Sequence, residues 1–213
     1  MSKEIAIVFG ASGFLGSHVA EALSSAGYQV RLFDRAPSDF KRNDQEMIVG
    51  DIMNLEDVTK AIQGASIVYN FAAIADIDEA NEKPLVTAEI NILGNMNVLE
   101  ASRLAGVSRF IFASSVYVYS ESGSFYRASK QAAERFIETY QDRYGLDYTI
   151  LRYGSLYGRR TDDRNGIYRM LHEAIEQRSI TYKGSGEAIR EYIHVEDAAR
   201  MSVQVLAPEF ANR

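Results

Sequence analysis

The sequence predicts an α/β protein whose centre is a doubly wound parallel sheet, followed by part of a smaller region. Three observations lead there. Strand-like and helix-like segments alternate as far as Gly158. The strand-like runs are apolar at consecutive positions, as in IAIVF and FIFA, so both of their faces must be covered. The first strand meets the first helix at a glycine-rich turn, GASGFLG.

The elements follow in order. Ile5–Phe9 is a buried strand ended by glycine. Residues 14–26 have helical spacing and stop at Gly27, a natural C-terminal glycine. A strand over 29–33 runs into Asp34, and a short strand follows at 47–49. Leu55–Ile62 is a helix, 66–71 a strand, 84–105 one long helix and 109–113 a strand. A helix over 126–144 and a strand over 148–151 complete the alternation, and a last helix is expected over 197–206. This places one domain at 1–158 and part of a second at 159–213.

Composition narrows the function. The chain has 213 residues, 46% hydrophobic, which is enough to bury a sizeable core. Its net charge is -6, with Lys and Arg scattered, so it carries no nucleic-acid footprint. It has no cysteine, which excludes disulfides, thiolate metal sites and thiol nucleophiles. The N-terminal apolar run is too short for a signal peptide or a membrane span, so the expected location is the cytoplasm, away from membranes. His18, His172 and His194 lie far apart and have no ligand spacing, so no metal site is expected.

The glycine turn carries chemistry. Gly10 permits the tight turn, Gly13 lets the backbone approach a pyrophosphate, and Gly16 lets the helix lie against the strand. This is the Rossmann-type arrangement. Asp34 closes the second strand, where a carboxylate accepts from both adenosine ribose hydroxyls and repels a 2′-phosphate, which favours NAD over NADP. Arg35, beside it, softens that preference. No Lys-Ser/Thr follows the last glycine, so the turn is not a P-loop.

A second constellation lies in SSVYVYSESGSFYRASK. Of its three tyrosines only Tyr126 has a lysine four residues later, Lys130, which puts both on one helix face. An ammonium nearby, with an oxidised nicotinamide, favours the phenolate of Tyr126 and lets it exchange a proton with a sugar hydroxyl. Ser115 is placed to hold the same oxygen.

These motifs together resemble the extended short-chain dehydrogenase/reductases, in the NAD-dependent nucleotide-sugar epimerase/dehydratase branch. The matching segments are GASGFLGSH, Asp34, Gly50-Asp51-Ile52, YNFAA, NILGNMNVLEA, SSVYVYS, YRASK, LRYGSLYG and GSGEAIREYIHVED, in the family's order and almost end to end. The resemblance implies that NAD lies against Gly10, Ser12, Gly13, Phe14, Leu15 and Gly16 of the turn. Asp34, Arg35, Asp51 and Ile52 would take its adenosine end, and Phe71, Ala72, Ala73, Asn91, Ser114 and Tyr153 would complete the site with Tyr126 and Lys130. It makes Tyr126 the acid/base, assisted by Lys130 and Ser115, and gives Ser115, Ser155 and Arg190 to the substrate, Arg190 to its diphosphate. Tyr119 becomes a half-buried packing residue.

The family's dehydratases carry an Asp-Glu pair where this chain has Val116 and Tyr117, which leaves an epimerase-like site. A reductase or dehydrogenase of a keto or hydroxy substrate, and a non-catalytic cofactor-binding protein, stay open beside it. Ser155 stands where the family usually has Asn. The family normally continues beyond this length, so only part of the substrate region is expected here. Asp76, Asp78 and Glu79 form an acidic loop as consistent with solvent as with substrate hydroxyls. A homodimer through the helices over 84–105 and 126–144 is the family's habit, and Ala128, Ala132 and Ala133 would permit close approach.

Overall fold

The computed structural model describes residues 3–181 and 190–213. Six strands form one parallel sheet: β1 Ile5–Phe9, β2 Gln29–Asp34, β3 Glu46–Val49, β4 Ile67–Asn70, β5 Arg109–Ser115 and β6 Tyr148–Tyr153. Their order is β3-β2-β1-β4-β5-β6, so the chain winds outward from β1 in one direction and then, from β4, in the other. That reversal opens a crevice at the carboxyl ends of β1 and β4, the usual ligand position in such sheets.

Alternate side chains of each strand enter different cores. Ile7, Phe9, Val68, Phe110 and Phe112 face helices α2 (Leu55–Ile62), α5 (Asn95–Leu104) and α6 (Ser124–Tyr144). Ala6, Val8, Leu32, Tyr69 and Ile111 face α1 (Phe14–Ser25) and α8 (Val195–Gln204). Both faces are covered, as the consecutive apolar runs required.

Local signals set the helix limits. Asn54 caps α2 by accepting from the backbone N–H of Glu56 and Asp57. Gly145, at φ 70°, ends α6, and its N–H reaches the carbonyl of Gln141 at 2.8 Å.

Three regions differ from expectation. The acidic loop contains a short helix, α3 (Ile77–Glu82), because Asp76 caps it by accepting from Glu79 N. The expected single helix over 84–105 is α4 (Pro84–Ala88), a π-helical stretch Glu89–Gly94, and then α5. Beyond β6 the chain forms a second sheet of two parallel strands, β7 (Ser155–Tyr157) and β8 (Tyr192–His194), with α7 (Gly166–Gln177) between them.

The last region does not remain a separate unit. Helix α8 returns to α1, Ala199 enters the core shared with β1, and Tyr69 Oη donates to Ser202 O at 2.7 Å. The tail closes on β6, where Asn212 N donates to Tyr148 O and Ile150 N donates to Arg213 O. The chain thus leaves the large sheet at β7 and comes back against α1 at α8.

Candidate active site

The site is built from the carboxyl ends of β1, β2, β4 and β5. At the first, the glycines are fixed by space. Gly10 has φ +76°, and a Cβ there would lie 2.7 Å from Ala72 N. A Cβ on Gly16 would collide with the carbonyl oxygen of Gly10. Gly13 starts α1 and supplies no side-chain cap, so the first-turn N–H groups of a twelve-residue helix remain available for an anion.

Asp34 is part of the same turn. Its Oδ2 accepts from Ser12 N at 2.9 Å, and its Oδ1 accepts from Arg35 N at 2.7 Å. Ser12 Oγ in turn donates to Ala36 O at 2.8 Å. A carboxylate has about four acceptor positions, so Asp34 is held firmly while keeping lone pairs for ribose hydroxyls. It lines a cavity of about 320 Å³ with Asp51, Ile52, Phe71, Ala72 and Ala73. Asp51 is steadied there by accepting from Met53 N at 2.9 Å.

A larger cavity, about 620 Å³, adjoins the first at Gly10, Gly13 and Phe71. Its walls include the rest of the glycine turn (Ser12, Phe14, Leu15 and Gly16), and Ser114, Ser115, Tyr126, Lys130 and Tyr153. The cradle, the acidic ribose site and the two adjoining cavities fit an extended dinucleotide. Among the described residues no three His, Asp or Glu side chains gather as a metal site would need.

At the far end Tyr126 and Lys130 are both buried on α6. Lys130 Nζ donates to Ala113 O at 2.7 Å and sits 4.7 Å from the centre of the Phe112 ring and 5.8 Å from that of Tyr126. Burial pushes the lysine down to about 8, and the nearby Glu134 carboxylate opposes it. Burial also pushes the Tyr126 phenol up; Ser115 pulls it down, and Tyr117 pushes it further up. Lys130 is not among the groups that act on the phenol, so the expected lowering by the lysine is not seen and burial dominates. The rim is Tyr117, whose ring meets that of Tyr126 edge-on at 6.3 Å.

The chain that carries this glycine turn, Asp34 and a buried Tyr126–Lys130 pair has relatives among known proteins. The model of the NAD dependent epimerase/dehydratase family matches residues 6–212. The chain belongs to this family. A UDP-glucuronate 4-epimerase of Thermodesulfobacterium geofontis is 28% identical over 95% of this chain and 71% of its own length. A UDP-glucose 4-epimerase of Thermotoga maritima, solved with UDP-glucose, superimposes with a TM-score of 0.88 at 27% identity, over 95% of this chain and 73% of that one. The Thermus thermophilus UDP-glucose 4-epimerase, solved with NAD, gives 0.85 at 27% identity, over 95% and 74%.

Most of the residues that the family resemblance assigns to the cofactor line the two cavities. Asn91 does not. Its amide nitrogen donates to Ile74 O and Ser129 Oγ, and its oxygen accepts from Ile74 N. Both amide hydrogens are used, so Asn91 ties the segment after β4 to α6. Ser155 lies between two lining residues, Gly154 and Leu156, and is itself outside the lining; its N–H pairs with Glu191 O. Arg190 is exposed, and its Nη1 lies 3.5 Å from Tyr117 Oη, which puts it on the Tyr126 side of the site. The part of its motif at 184–189 lies outside the described residues.

Tyr119 departs from its expected half-buried packing. It is 75% exposed, with its ring against the Arg152 guanidinium and its hydroxyl accepting from Arg152 Nη1 at 2.7 Å. Sequence reasoning missed Glu134 altogether. The signal was present: Tyr126, Lys130 and Glu134 follow at intervals of four residues on one helix.

Proposed function

We propose that this chain is an NAD-dependent epimerase of nucleotide-diphosphate sugars, working by transient oxidation at a ring carbon. The observation that carries the reading is the position of Tyr126, Lys130 and Ser115 on the wall of a cavity that adjoins the dinucleotide cradle. NAD, when bound, supplies a hydride acceptor and then a hydride donor. The chain's own part is to move one proton. Tyr126 Oη takes it from the sugar hydroxyl as the carbon is oxidised and returns it when hydride comes back on the other face. Ser115 hydrogen-bonds at that oxygen, and Lys130 places a positive charge beneath the ring. Neither Val116 nor Tyr117 supplies the carboxylic acid that removal of water would need.

Arg190, exposed beside Tyr117, is proposed as the anchor of the substrate diphosphate. A guanidinium suits a phosphate because it donates two parallel hydrogen bonds. Ser155 is proposed as a substrate residue of the same lobe. We also read the protein as a cytoplasmic homodimer. Leu85, Leu93, Leu104 and Phe125 on α4 to α6 and the intervening turn are exposed, which supports a second copy there. Of the small residues, Ala128 is exposed and open to that contact, whereas Ala133 packs on the chain's own sheet.

Conversion of UDP-, GDP- and dTDP-sugars by the purified protein tests the reading. Tyr126→Phe should abolish turnover and leave NAD binding nearly intact, because only the proton-transfer oxygen is removed. Tyr119→Phe should retain most activity, since it loses one exposed hydrogen bond. Equal loss in the two variants would defeat the assignment of Tyr126.

A further inference from the structure

We propose that Glu134 is a positioning residue for the Tyr126–Lys130 pair: a buried carboxylate, held by Arg152 and Ser114, that fixes the charge and place of the Lys130 ammonium. Its catalytic meaning rests on the epimerase reading, but its physical content does not.

The geometry is a cluster of contacts between two elements. Three side chains of α6, each four residues apart, meet three consecutive residues of β5. Lys130 Nζ donates to Ala113 O at 2.7 Å. Ser114 Oγ donates to Glu134 Oε1 at 2.5 Å. Ser115, at the end of β5, is the residue whose side chain lowers the Tyr126 phenol. Along β5 the Glu134 contact lies between the residues that meet Lys130 and Tyr126, so it helps hold that strand end against α6.

Glu134 is itself immobilised. Arg152 on β6 grips it with two bonds, Nε to Oε1 at 3.0 Å and Nη2 to Oε2 at 2.7 Å. The carboxylate side chain is 4% exposed and the arginine 31%. A buried ion pair of this kind adds little net stability, because desolvation cancels most of the attraction. What it adds is a fixed negative charge on the lysine's side of the helix.

Other charged and titratable groups surround this corner. Tyr126 lies on the same helix; Tyr117 and Tyr119 come from the turn after β5, and Arg152 and Tyr153 from β6. Asp76 and Glu79 at α3 and Arg160 and Arg164 beyond β7 line the same cavity, and Glu100 and Arg103 of α5 and Glu89 pack further along α6. Of all of these, Glu134 is the one charged group that acts appreciably on Lys130, and it favours the ammonium.

The test is the titration of the Lys130 side chain by NMR in protein labelled with 15N-lysine, assigned by comparison with Lys130→Arg. It needs no turnover. In Glu134→Gln the midpoint should fall, by up to about one pH unit, because the charge that favours the ammonium is gone. Glu134→Asp should bring it back towards wild type. The sign is decisive, because a merely structural role predicts the reverse: a loosened site lets water in and raises the lysine towards its ordinary value. A midpoint that rises or stays put in Glu134→Gln overturns the proposal. Should that variant not fold, the pair Glu134→Gln with Arg152→Met removes both charges without stranding the guanidinium. The same fall is expected there, and an unchanged midpoint again overturns the proposal. If no nucleotide sugar is converted while the midpoint falls as stated, the epimerase reading fails and the role of Glu134 stands.

Discussion

Replacing Gly10 by alanine probes the cofactor cradle through two separable costs. Gly10 has φ +76°, and an added Cβ would lie 2.7 Å from Ala72 N and 2.8 Å from the carbonyl carbon of Phe71. The left-handed backbone costs an L-residue about 1–2 kcal/mol. Overlap with main-chain atoms, which cannot swing aside as a side chain does, costs about 1–3 kcal/mol more. Together these amount to about 2–5 kcal/mol, a fall in Tm of roughly 4–20 °C for a chain of this size. Gly27 separates the two costs: its φ is +98°, but nothing lies within 4 Å of an added Cβ. Gly27→Ala should therefore show the backbone cost alone, roughly 2–8 °C. The assay is thermal unfolding followed by circular dichroism, with and without NAD. NAD at about 100 times its Kd should add about 2.7 kcal/mol to wild type and to Gly27→Ala. It should add much less to Gly10→Ala, because the Phe71–Ala72 backbone that must yield lines the cofactor cavity. If Gly10→Ala melts no lower than Gly27→Ala and keeps the full NAD response, the cradle reasoning is refuted.

Two further outcomes follow from the charged groups of the site. Lys130 is held at about 8 against its usual 10.5. Below about pH 8 the folded and unfolded states both carry its proton; between the two values only the unfolded state does, so stability rises with pH across that window. Urea unfolding at about pH 7 and about pH 10 should show wild type gaining about 2–3 kcal/mol relative to Lys130→Met, and parallel pH profiles would contradict the burial of the ammonium. Asp34 should make NAD bind more tightly than NADP, and Asp34→Asn should weaken NAD by roughly tenfold or more and narrow the gap. Titrations followed by tyrosine fluorescence decide it, and tighter NADP binding by wild type would mean that Arg35 outweighs the carboxylate.

The large sheet was legible because its strands are apolar on both faces, a pattern that few other settings accept. The glycine turn was legible because backbone space there demands one residue type, and Asp34 because it closes the strand beside that turn. Tyr126 and Lys130 followed from helical spacing. Burial, in contrast, depends on what packs around a side chain, so the raised phenol of Tyr126 and the exposure of Tyr119 were not in the motif. Asn91 matches the family segment, yet its fate was decided by Ile74 and Ser129, distant in sequence. Helix α7 was missed although both signals were present: Asn165 caps it by accepting from Ile167 N and Tyr168 N, and Ile167, Leu171 and Ile175 recur every four residues. The return of α8 to α1 is a tertiary choice that no local pattern announces.

The π-helical stretch Glu89–Gly94 makes chain length matter where composition does not. Bonding to the fifth residue along instead of the fourth inserts one residue into an otherwise α-helical line. Deleting a single residue there would restore regular hydrogen bonding and would look harmless in an exposed helix. With one residue fewer the helix would run on in phase from α4 to α5, but the wide turn that sets Asn91 against both Ile74 and Ser129 would be gone. This segment should therefore accept substitutions at an outward position such as Leu93 and almost no change in length, a constraint set by what Asn91 must reach on both sides.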